Sequence, residues 1–209
     1  MKRILKALLS KIAIKFYYWG LHHDQSVREE RRKKALEEAA VIDESAVIYQ
    51  EATIENHLKD RTKIRIGKES RILGSLMVFG HAGEIVIGDH VFCGIGVKMW
   101  SAKKIFIGNR VLISHNVNIH DNISHSLDSA MRHKDFLAIF SDGFLKENDL
   151  REKEIIIEDD VWIGFNSTIM KGVHIGKGAI IGANSIITND VPAFAVVVGN
   201  PSRIIKYTT

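Results

Sequence analysis

The sequence contains a single cysteine and only two prolines in 209 residues. One cysteine cannot build an internal disulfide framework, and it fits a protein of a reducing compartment. Cys93 is interpreted as a small buried apolar residue on a coil rather than a nucleophile. So few prolines, beside 16 glycines, are typical of a regular stacked structure rather than of a linker-rich chain.

The chain also lacks an uncharged apolar run long enough to cross a bilayer. Lys6, Lys11 and Lys15 interrupt the apolar residues near the start, and no small-residue cleavage site follows. Residues 1–20 predict an amphipathic helix whose apolar side chains share one face. That face either packs on protein or lies on an anionic membrane. The expected localisation is cytoplasmic, with peripheral contact at the inner membrane face in the second case.

A strong excess of one charge is absent as well, since the formal net charge is +4. The excess is concentrated at the front of the chain, between Lys2 and Lys15, and no aromatic-interleaved basic patch accompanies it, so a nucleic-acid partner is not expected. A second helix is predicted over 26–40, where Ser26 and Glu29 form a capping-box pattern.

The strongest pattern present is a six-residue repeat near the end of the chain. Six isoleucines stand six apart: Ile157, Ile163, Ile169, Ile175, Ile181 and Ile187. A row of small or branched residues keeps the same step: Val161, Ser167, Val173, Ala179, Ser185 and Val191. This period fits neither an α-helix nor an alternating strand, and it indicates a repeat array whose coils must stack to bury their apolar rows.

The same period extends upstream with interruptions. It begins loosely at Val41, blurs over 56–62, slips over 80–83 and 98–103, and runs cleanly from Ile107 to Ile119. We therefore predict a helical segment at 1–40, a β-helix at 41–191 and a tail at 192–209. Because the spacing from Ile119 to Ile157 is not a multiple of six, residues 120–154 form an extruded loop, and loops of this length are usually functional.

Three segments, VWIGFNSTI, IGANSIITNDV and VVGNPSRIIKY, resemble the left-handed β-helix acyltransferases that use coenzyme A. The similarity is greatest to maltose and galactoside acetyltransferases and to polysaccharide O-acetyltransferases. It implies an all-β fold, a left-handed parallel β-helix preceded by N-terminal α-helices; the handedness comes from the resemblance, since right-handed crossovers are the general rule. It also implies a homotrimer that transfers acetyl from acetyl-CoA to a saccharide hydroxyl of a cell-surface glycan or its precursor, without a metal.

The resemblance places a catalytic histidine where the loop begins. His125, followed by Ser-Leu-Asp and by Arg132, fits that signature, so His125 is the expected general base. Asp121 or a backbone carbonyl is expected to fix its tautomer. One insertion relative to the family spacing makes His120 an alternative base, and the oxyanion donor is left open.

The resemblance also assigns the coenzyme A channel by matched positions. These are Trp162, Gly164, Phe165, Ala183, Thr188, Asn189 and Arg203. Asn189 stands where lysine is common, so phosphate binding is expected to depend on Arg203. The stretch 93–102 lacks the Asn and Asp of the galactoside enzymes, so a simple galactoside or maltose acceptor is not expected. The basic front helix and the long aromatic loop favour a larger or lipid-linked glycan at the inner membrane face.

A metalloenzyme is the alternative. His115, His120 and His125 are spaced by five, and HNVNIH resembles a segment of the γ-class carbonic anhydrases, whose three histidines hold zinc. Steps of five do not keep phase with a six-residue repeat, however, so the three side chains are not required to converge.

Overall fold

The computed structural model describes residues 26–141 and 149–208. The chain divides into two compact units between Glu38 and Ala39. Residues 26–39 are helical (α1), so the second predicted helix forms. The first predicted helix and its membrane contact at 1–20 lie outside the described residues. Within the described part of the chain, no helix is long and apolar enough to cross a membrane.

The second unit is built of short strands that follow one another in coils of three. The first two coils contain β1 (Val41–Ile42), β2 (Val47–Ile48), β3 (Thr53–Asn56), β4 (Ile64–Ile66), β5 (Arg71–Ile72) and β6 (Ser75–Val78). The next two contain β7 (Ile85–Ile87), β8 (Phe92–Cys93), β9 (Lys98–Ser101), β10 (Ile105–Ile107), β11 (Leu112–Ile113) and β12 (Asn118–His120). The last coils contain β13 (Ile155–Ile157), β14 (Trp162–Ile163), β15 (Thr168–Ile169), β16 (His174–Ile175), β17 (Ile180–Ile181), β18 (Ile186–Ile187) and β19 (Ala195–Val198). The chain then reverses into β20 (Arg203–Tyr207), which pairs antiparallel with β19.

Corresponding strands of successive coils pair in parallel and form three sheets. Sheet A has the order β1-β4-β7-β10-β13-β16, and sheet C has the order β18-β15-β12-β9-β6-β3. Sheet B has the order β2-β5-β8-β11-β14-β17-β19-β20. The result is a left-handed parallel β-helix of about seven turns, which confirms the predicted fold.

The six-residue rows form the interior of the β-helix. All six isoleucines of the repeat are fully buried, two in each sheet, and the Val161 row of small residues is at most 5% exposed. Within each sheet the paired isoleucines are three hexapeptides apart, as Ile157 is from Ile175. Three hexapeptides therefore make one coil, and each coil buries the apolar row that it could not bury alone.

The interruptions of the repeat all lie at one corner of the β-helix. In the earlier coils of sheet A, paired isoleucines follow one another in the order Ile42, Ile66, Ile87, Ile107 and Ile157. Every one of these steps is longer than three hexapeptides, and the additional residues stand between a strand of sheet C and the next strand of sheet A. The predicted slip at 98–103 is displaced, because Lys98–Ser101 is β9 and the extra residues follow it. The longest interruption leaves the stack after His120 and returns at Ile155.

The extruded loop has secondary structure of its own. Helix α2 spans Ser129–Ile139, and the side chain of its N-cap, Asp128, accepts from the Met131 N–H at 2.8 Å. Asp135 is the buried residue of this helix, at 3% exposure. An acidic side chain is rarely buried without a partner, so the position of Asp135 indicates a specific interaction.

We expect Gly164→Ala to test how tightly the coils stack. A Cβ at Gly164 would lie 2.6 Å from the backbone nitrogen of Ala183 in the next coil, and backbone cannot rotate away. The free energy of unfolding should fall by about 1–3 kcal/mol, as for overpacked cores. Ser114 holds the equivalent corner one coil earlier and already carries a Cβ, so Ser114→Ala is the control, with a change within about 0.5 kcal/mol. Equal stability of the two variants in urea unfolding would contradict this packing.

Candidate functional site

The two ends of the extruded loop are joined at its root. The Ile123 N–H donates to the Leu150 carbonyl at 3.1 Å, and the Lys153 N–H donates to the Asp121 carbonyl at 2.8 Å. Leu150 is buried in a small apolar cluster with Phe79 and Ala102, separate from the main core. The loop therefore begins from a fixed base, immediately before His125.

His125 is held by an acidic residue from the loop helix. Its Nδ1 lies 2.6 Å from Oδ2 of Asp135. The His125 side chain is 48% exposed, whereas that of Asp135 is 4% exposed. An ionised carboxylate can only accept hydrogen bonds, so Nδ1 donates and Nε2 carries the free lone pair. This is the arrangement of a general base whose tautomer is fixed by a buried carboxylate.

The expected partner of His125, Asp121, has a different role. It is fully buried and accepts from Ser101 Oγ at 2.6 Å, from the Ala102 N–H at 2.8 Å and from the Lys103 N–H at 2.9 Å. Asn122 Nδ2 adds a fourth contact at 2.9 Å. The prediction that Asp121 fixes the tautomer of His125 is therefore wrong, because its oxygens fasten the loop root to the preceding coil.

His120, the alternative base, lies on the outer face of sheet C. Its ring stacks on Trp100, with centroids 4.9 Å apart and planes 14° from parallel. Burial lowers the pKa of His120 and Lys98 lowers it further, against the opposing effect of Asp121. A histidine with a lowered pKa takes up a proton less readily, and no carboxylate bonds to this ring among the described residues.

The three histidines of the alternative metal site each contact a different partner. His115 stacks on Phe165 at 5.0 Å, His120 stacks on Trp100, and His125 bonds Asp135. In residues 26–141 and 149–208, no group of three His, Cys, Asp or Glu side chains is placed to hold a metal ion. The predicted ligand set does not come together within one chain.

The residues expected to line the coenzyme A channel fall into three groups. Gly164, Phe165 and Ala183 stack at the corner between sheets B and C, where the Asn184 N–H donates to the Phe165 carbonyl at 2.9 Å. Thr188 and Asn189 follow β18 at the opposite edge of sheet C, both exposed. The first two groups therefore border the outer face of one sheet.

The remaining two channel residues lie on sheet B. Trp162 points outward from β14 and is 50% exposed, and Arg203 begins β20, the last strand of the sheet. Within one chain, they are on a different face from Thr188 and Asn189.

One outward row of sheet C connects the channel to the loop root. Ile119 pairs with Ile169, and Ile169 pairs with Ile187. The residues immediately after them, His120, Met170 and Thr188, therefore stand in line at successive coils about 4.8 Å apart. The row leads from the predicted channel to the residues before His125.

Cys93 is fully buried in the main core, as predicted. Burial raises the pKa of its thiol to about 12. The thiol is thus protonated near neutral pH, and the thiolate that acts as a nucleophile is scarce.

Sequence reasoning missed Asp135, the residue in direct contact with the expected base. The available signal was Asp128, a good N-cap, followed by a helix-compatible run. Asp135 stands in that run one helical turn beyond Met131, so both side chains lie on the same face.

Comparison with known proteins agrees with this geometry. The family model described as bacterial transferase hexapeptide (six repeats) matches residues 154–189. Those residues are the regular coils in which all the isoleucines of the repeat are buried. Residues 154–189 therefore carry the repeat of that transferase family. A 2,3,4,5-tetrahydropyridine-2,6-dicarboxylate N-acetyltransferase of Staphylococcus aureus (strain JH9) is 60% identical over 52 residues, which is 25% of this chain and 22% of that relative. The match thus spans about a fifth of the relative's length.

Three solved structures place this hexapeptide-repeat chain among similar folds. The polySia specific acetyltransferase NeuO is 29% identical with a TM-score of 0.61, covering 80% of this chain and 66% of its own. A maltose O-acetyltransferase from Clostridium difficile 630 is 25% identical with a TM-score of 0.53, covering 86% of this chain and 76% of its own. AntD, an N-acyltransferase from Bacillus cereus solved with dTDP-4-amino-4,6-dideoxyglucose and coenzyme A, shares the fold at 19% identity, with a TM-score of 0.66 and coverage of 87% and 89%.

Proposed function

We propose that this protein is a coenzyme A-dependent O-acyltransferase that moves an acetyl group from acetyl-CoA to a saccharide hydroxyl. The observation that carries the proposal is the 2.6 Å contact of His125 with the buried Asp135 at the loop root. Two solved relatives, NeuO and the maltose enzyme, are named as acetyltransferases of sugars, and AntD was solved with coenzyme A. The two acetyltransferases support transfer of an acetyl group to a saccharide, whereas AntD, at 19% identity, shares the fold.

The proposed reaction is a direct transfer between two bound substrates. Nε2 of His125 takes the proton of the acceptor hydroxyl as its oxygen bonds to the thioester carbonyl carbon. The carbon–sulfur bond then breaks, and the imidazolium returns the proton to the leaving thiolate. Asp135 stabilises the imidazolium between these steps and keeps Nδ1 as the donor. The products are an acetyl ester and free coenzyme A, and no covalent enzyme intermediate is needed.

The donor would lie along sheet C in the last coils. Gly164 and Ala183 have small or no side chains, so neither position adds a bulky side chain to this corner. Thr188 and Asn189 offer polar contacts at the other edge of the sheet. Arg203 is exposed and supplies a charge for the nucleotide phosphates. Trp162 and Arg203 lie on sheet B, so we propose that they reach this face from a neighbouring subunit and that the site is shared in a homotrimer.

An apolar stripe on sheet B supports that association. Phe92, Leu112 and Trp162 are paired along the sheet and are 40%, 52% and 50% exposed. Exposed neighbouring apolar side chains of this kind often mark a protein interface. Peripheral membrane contact through residues 1–20 stays a prediction.

Acetyl-CoA binding and transfer test this function together. Titration with acetyl-CoA should raise the melting temperature of the full chain, since about 2.7 kcal/mol is gained at 100 times the Kd. Arg203→Ala should weaken the binding about tenfold, as for the loss of one charge-assisted contact. Mass spectrometry of a saccharide panel should then show acetylated products in equal amounts with free coenzyme A. If acetyl-CoA does not stabilise the protein and no acetylated sugar forms, the proposal is overturned.

Asp135→Asn should lower kcat by about 10- to 100-fold, without a matching change in KM for acetyl-CoA. The amide can present an N–H to Nδ1 and so favour the wrong tautomer of His125, but the loss is bounded by the 10²–10⁴ of general-base catalysis. Asp135→Glu, which keeps a carboxylate, should recover part of the rate. Equal kcat for Asp135→Asn and the natural protein would show that Asp135 does not position the base.

A further inference from the structure

The turn that connects His125 to helix α2 is held by a side chain of that helix. Arg132 lies near the start of α2, and its Nη1 donates to the Ser126 carbonyl at 3.0 Å and to the Leu127 carbonyl at 3.4 Å. Arginine suits this contact because its guanidinium carries several N–H donors in one rigid plane. The helix is therefore tied back to the two residues that directly follow His125.

Two further hydrogen bonds fix the shape of this turn. Ser126 Oγ accepts from the Asp128 N–H at 3.2 Å, and the Asp128 carboxylate accepts from the Met131 N–H at 2.8 Å as the helix N-cap. Ser126 is 8% exposed, so the bonds around it are partly shielded from water, where hydrogen bonds are stronger. Arg132 adds the link that runs from the body of the helix to the turn.

The backbone on the other side of His125 is fixed independently of the helix. The Ser124 N–H donates to Asn122 Oδ1 at 2.7 Å, and the His125 N–H donates to the carbonyl two residues earlier at 2.7 Å. Asn122 is 2% exposed, and its Nδ2 donates to the loop-root carboxylate of Asp121 at 2.9 Å. The position of the base is thus set from upstream, and the turn at 126–128 sets where α2 lies relative to it.

The contact between His125 and Asp135 depends on that placement. Asp135 stands three residues after Arg132, so the two side chains are neighbours on the helix surface. The Nδ1 to Oδ2 distance is 2.6 Å. A displacement of the helix by about 1 Å along this bond would lengthen it beyond the range of protein hydrogen bonds, which ends near about 3.2 Å.

We propose that Arg132 is a positioning residue for the general base. By holding the carbonyls of Ser126 and Leu127, it keeps α2 where the Asp135 carboxylate reaches Nδ1 of His125. Arg132 itself transfers no proton, and it acts through Asp135. The inference rests on the proposed acyl transfer, in which His125 is the base, and it adds the residue on which the geometry of that base depends.

The tautomer of His125 tests this role without any substrate. In ¹H–¹⁵N spectra of the imidazoles of the full chain, Arg132→Ala should convert part of the Nδ1–H form of His125 into the Nε2–H form, because the bond to Asp135 is weakened. The matched control is Lys134→Ala, which removes an exposed cation of the same helix and should leave the tautomer unchanged. An unchanged tautomer in Arg132→Ala, or an equal change in Lys134→Ala, overturns the proposal.

Kinetics separate positioning from a loss of folding. Arg132→Ala should lower kcat about tenfold, as for a slightly misplaced catalytic group, with KM for acetyl-CoA unchanged. Arg132→Lys, which keeps a charged N–H donor, should recover part of the rate. Guanidinium ion below denaturing concentrations should partly restore Arg132→Ala and leave Asp135→Asn unchanged.

The outcomes distinguish this inference from the acyltransferase proposal. Full kcat in Arg132→Ala, or a loss that neither Arg132→Lys nor guanidinium ion reduces, overturns the positioning role and leaves acyl transfer intact. If the natural protein neither binds acetyl-CoA nor acetylates a sugar while the His125 tautomer still responds to Arg132→Ala, the acyltransferase proposal fails. The positioning of His125 by Arg132 then stands.

Discussion

His125→Gln is expected to lower kcat for acetyl transfer by about 10²–10⁴, the usual contribution of a general base. Glutamine can occupy the same space and can bond Asp135, but it cannot take a proton from the acceptor hydroxyl. The melting temperature and the affinity for acetyl-CoA should stay within error, because the His125 side chain is half exposed and packs in no core. The measurement is the initial rate of coenzyme A release at saturating acetyl-CoA.

Two histidines nearby are suitable controls for this result. His133 is exposed on the same loop helix, beside Phe136, and His133→Gln should leave the rate unchanged. His120→Gln separates the two candidate bases. If its kcat falls a hundredfold while His125→Gln keeps its activity, the base is His120 and the role of Asp135 proposed above is wrong.

Asp121→Ala is expected to lower the free energy of unfolding by about 2–5 kcal/mol, since it leaves buried donors without an acceptor. The Ala102 and Lys103 N–H groups and the Ser101 hydroxyl all point at this carboxylate. These bonds tie the root of the extruded loop to the coil before it. Urea or thermal unfolding of the full chain measures the loss.

The same substitution distinguishes a structural role from a catalytic one. Asp121→Asn keeps one acceptor oxygen, so its stability should lie between that of alanine and that of the natural residue. Glu154→Ala removes an exposed acid at the other end of the loop and should change stability by less than about 0.5 kcal/mol. A fully stable Asp121→Ala protein with reduced kcat would instead return Asp121 to the catalytic machinery.

The fold was predictable from the sequence because large and small side chains recur at fixed six-residue steps. Ile157 to Ile187 must point inward at every sixth position, and the row of Val161 and Ser167 fits the corners, so the pattern determines the coils. The position of the long interruption also follows, since the spacing from Ile119 to Ile157 cannot fit six-residue steps. The handedness was available only through resemblance.

The site was less predictable because its contacts depend on how the loop folds back. Asp135 contacts His125 across the turn before α2, and only after that helix has formed. No repeat in the sequence indicates that the two residues are neighbours. In the linear sequence, Asp121 stands beside a histidine-rich segment and therefore resembles a catalytic partner. The three donors that occupy it come from the preceding coil, and a linear pattern does not show that they converge.

The tautomer of His125 is the most direct measure of whether the loop root holds a general base. Two-dimensional ¹H–¹⁵N spectra of the imidazoles, with His125 assigned by His125→Gln, report which nitrogen carries the proton at neutral pH. The structure predicts the Nδ1–H form, with Nε2 free to accept, and a shift toward the Nε2–H form in Asp135→Asn. An Nε2–H tautomer in the natural protein, unchanged in Asp135→Asn, would contradict the proposed base and its buried partner.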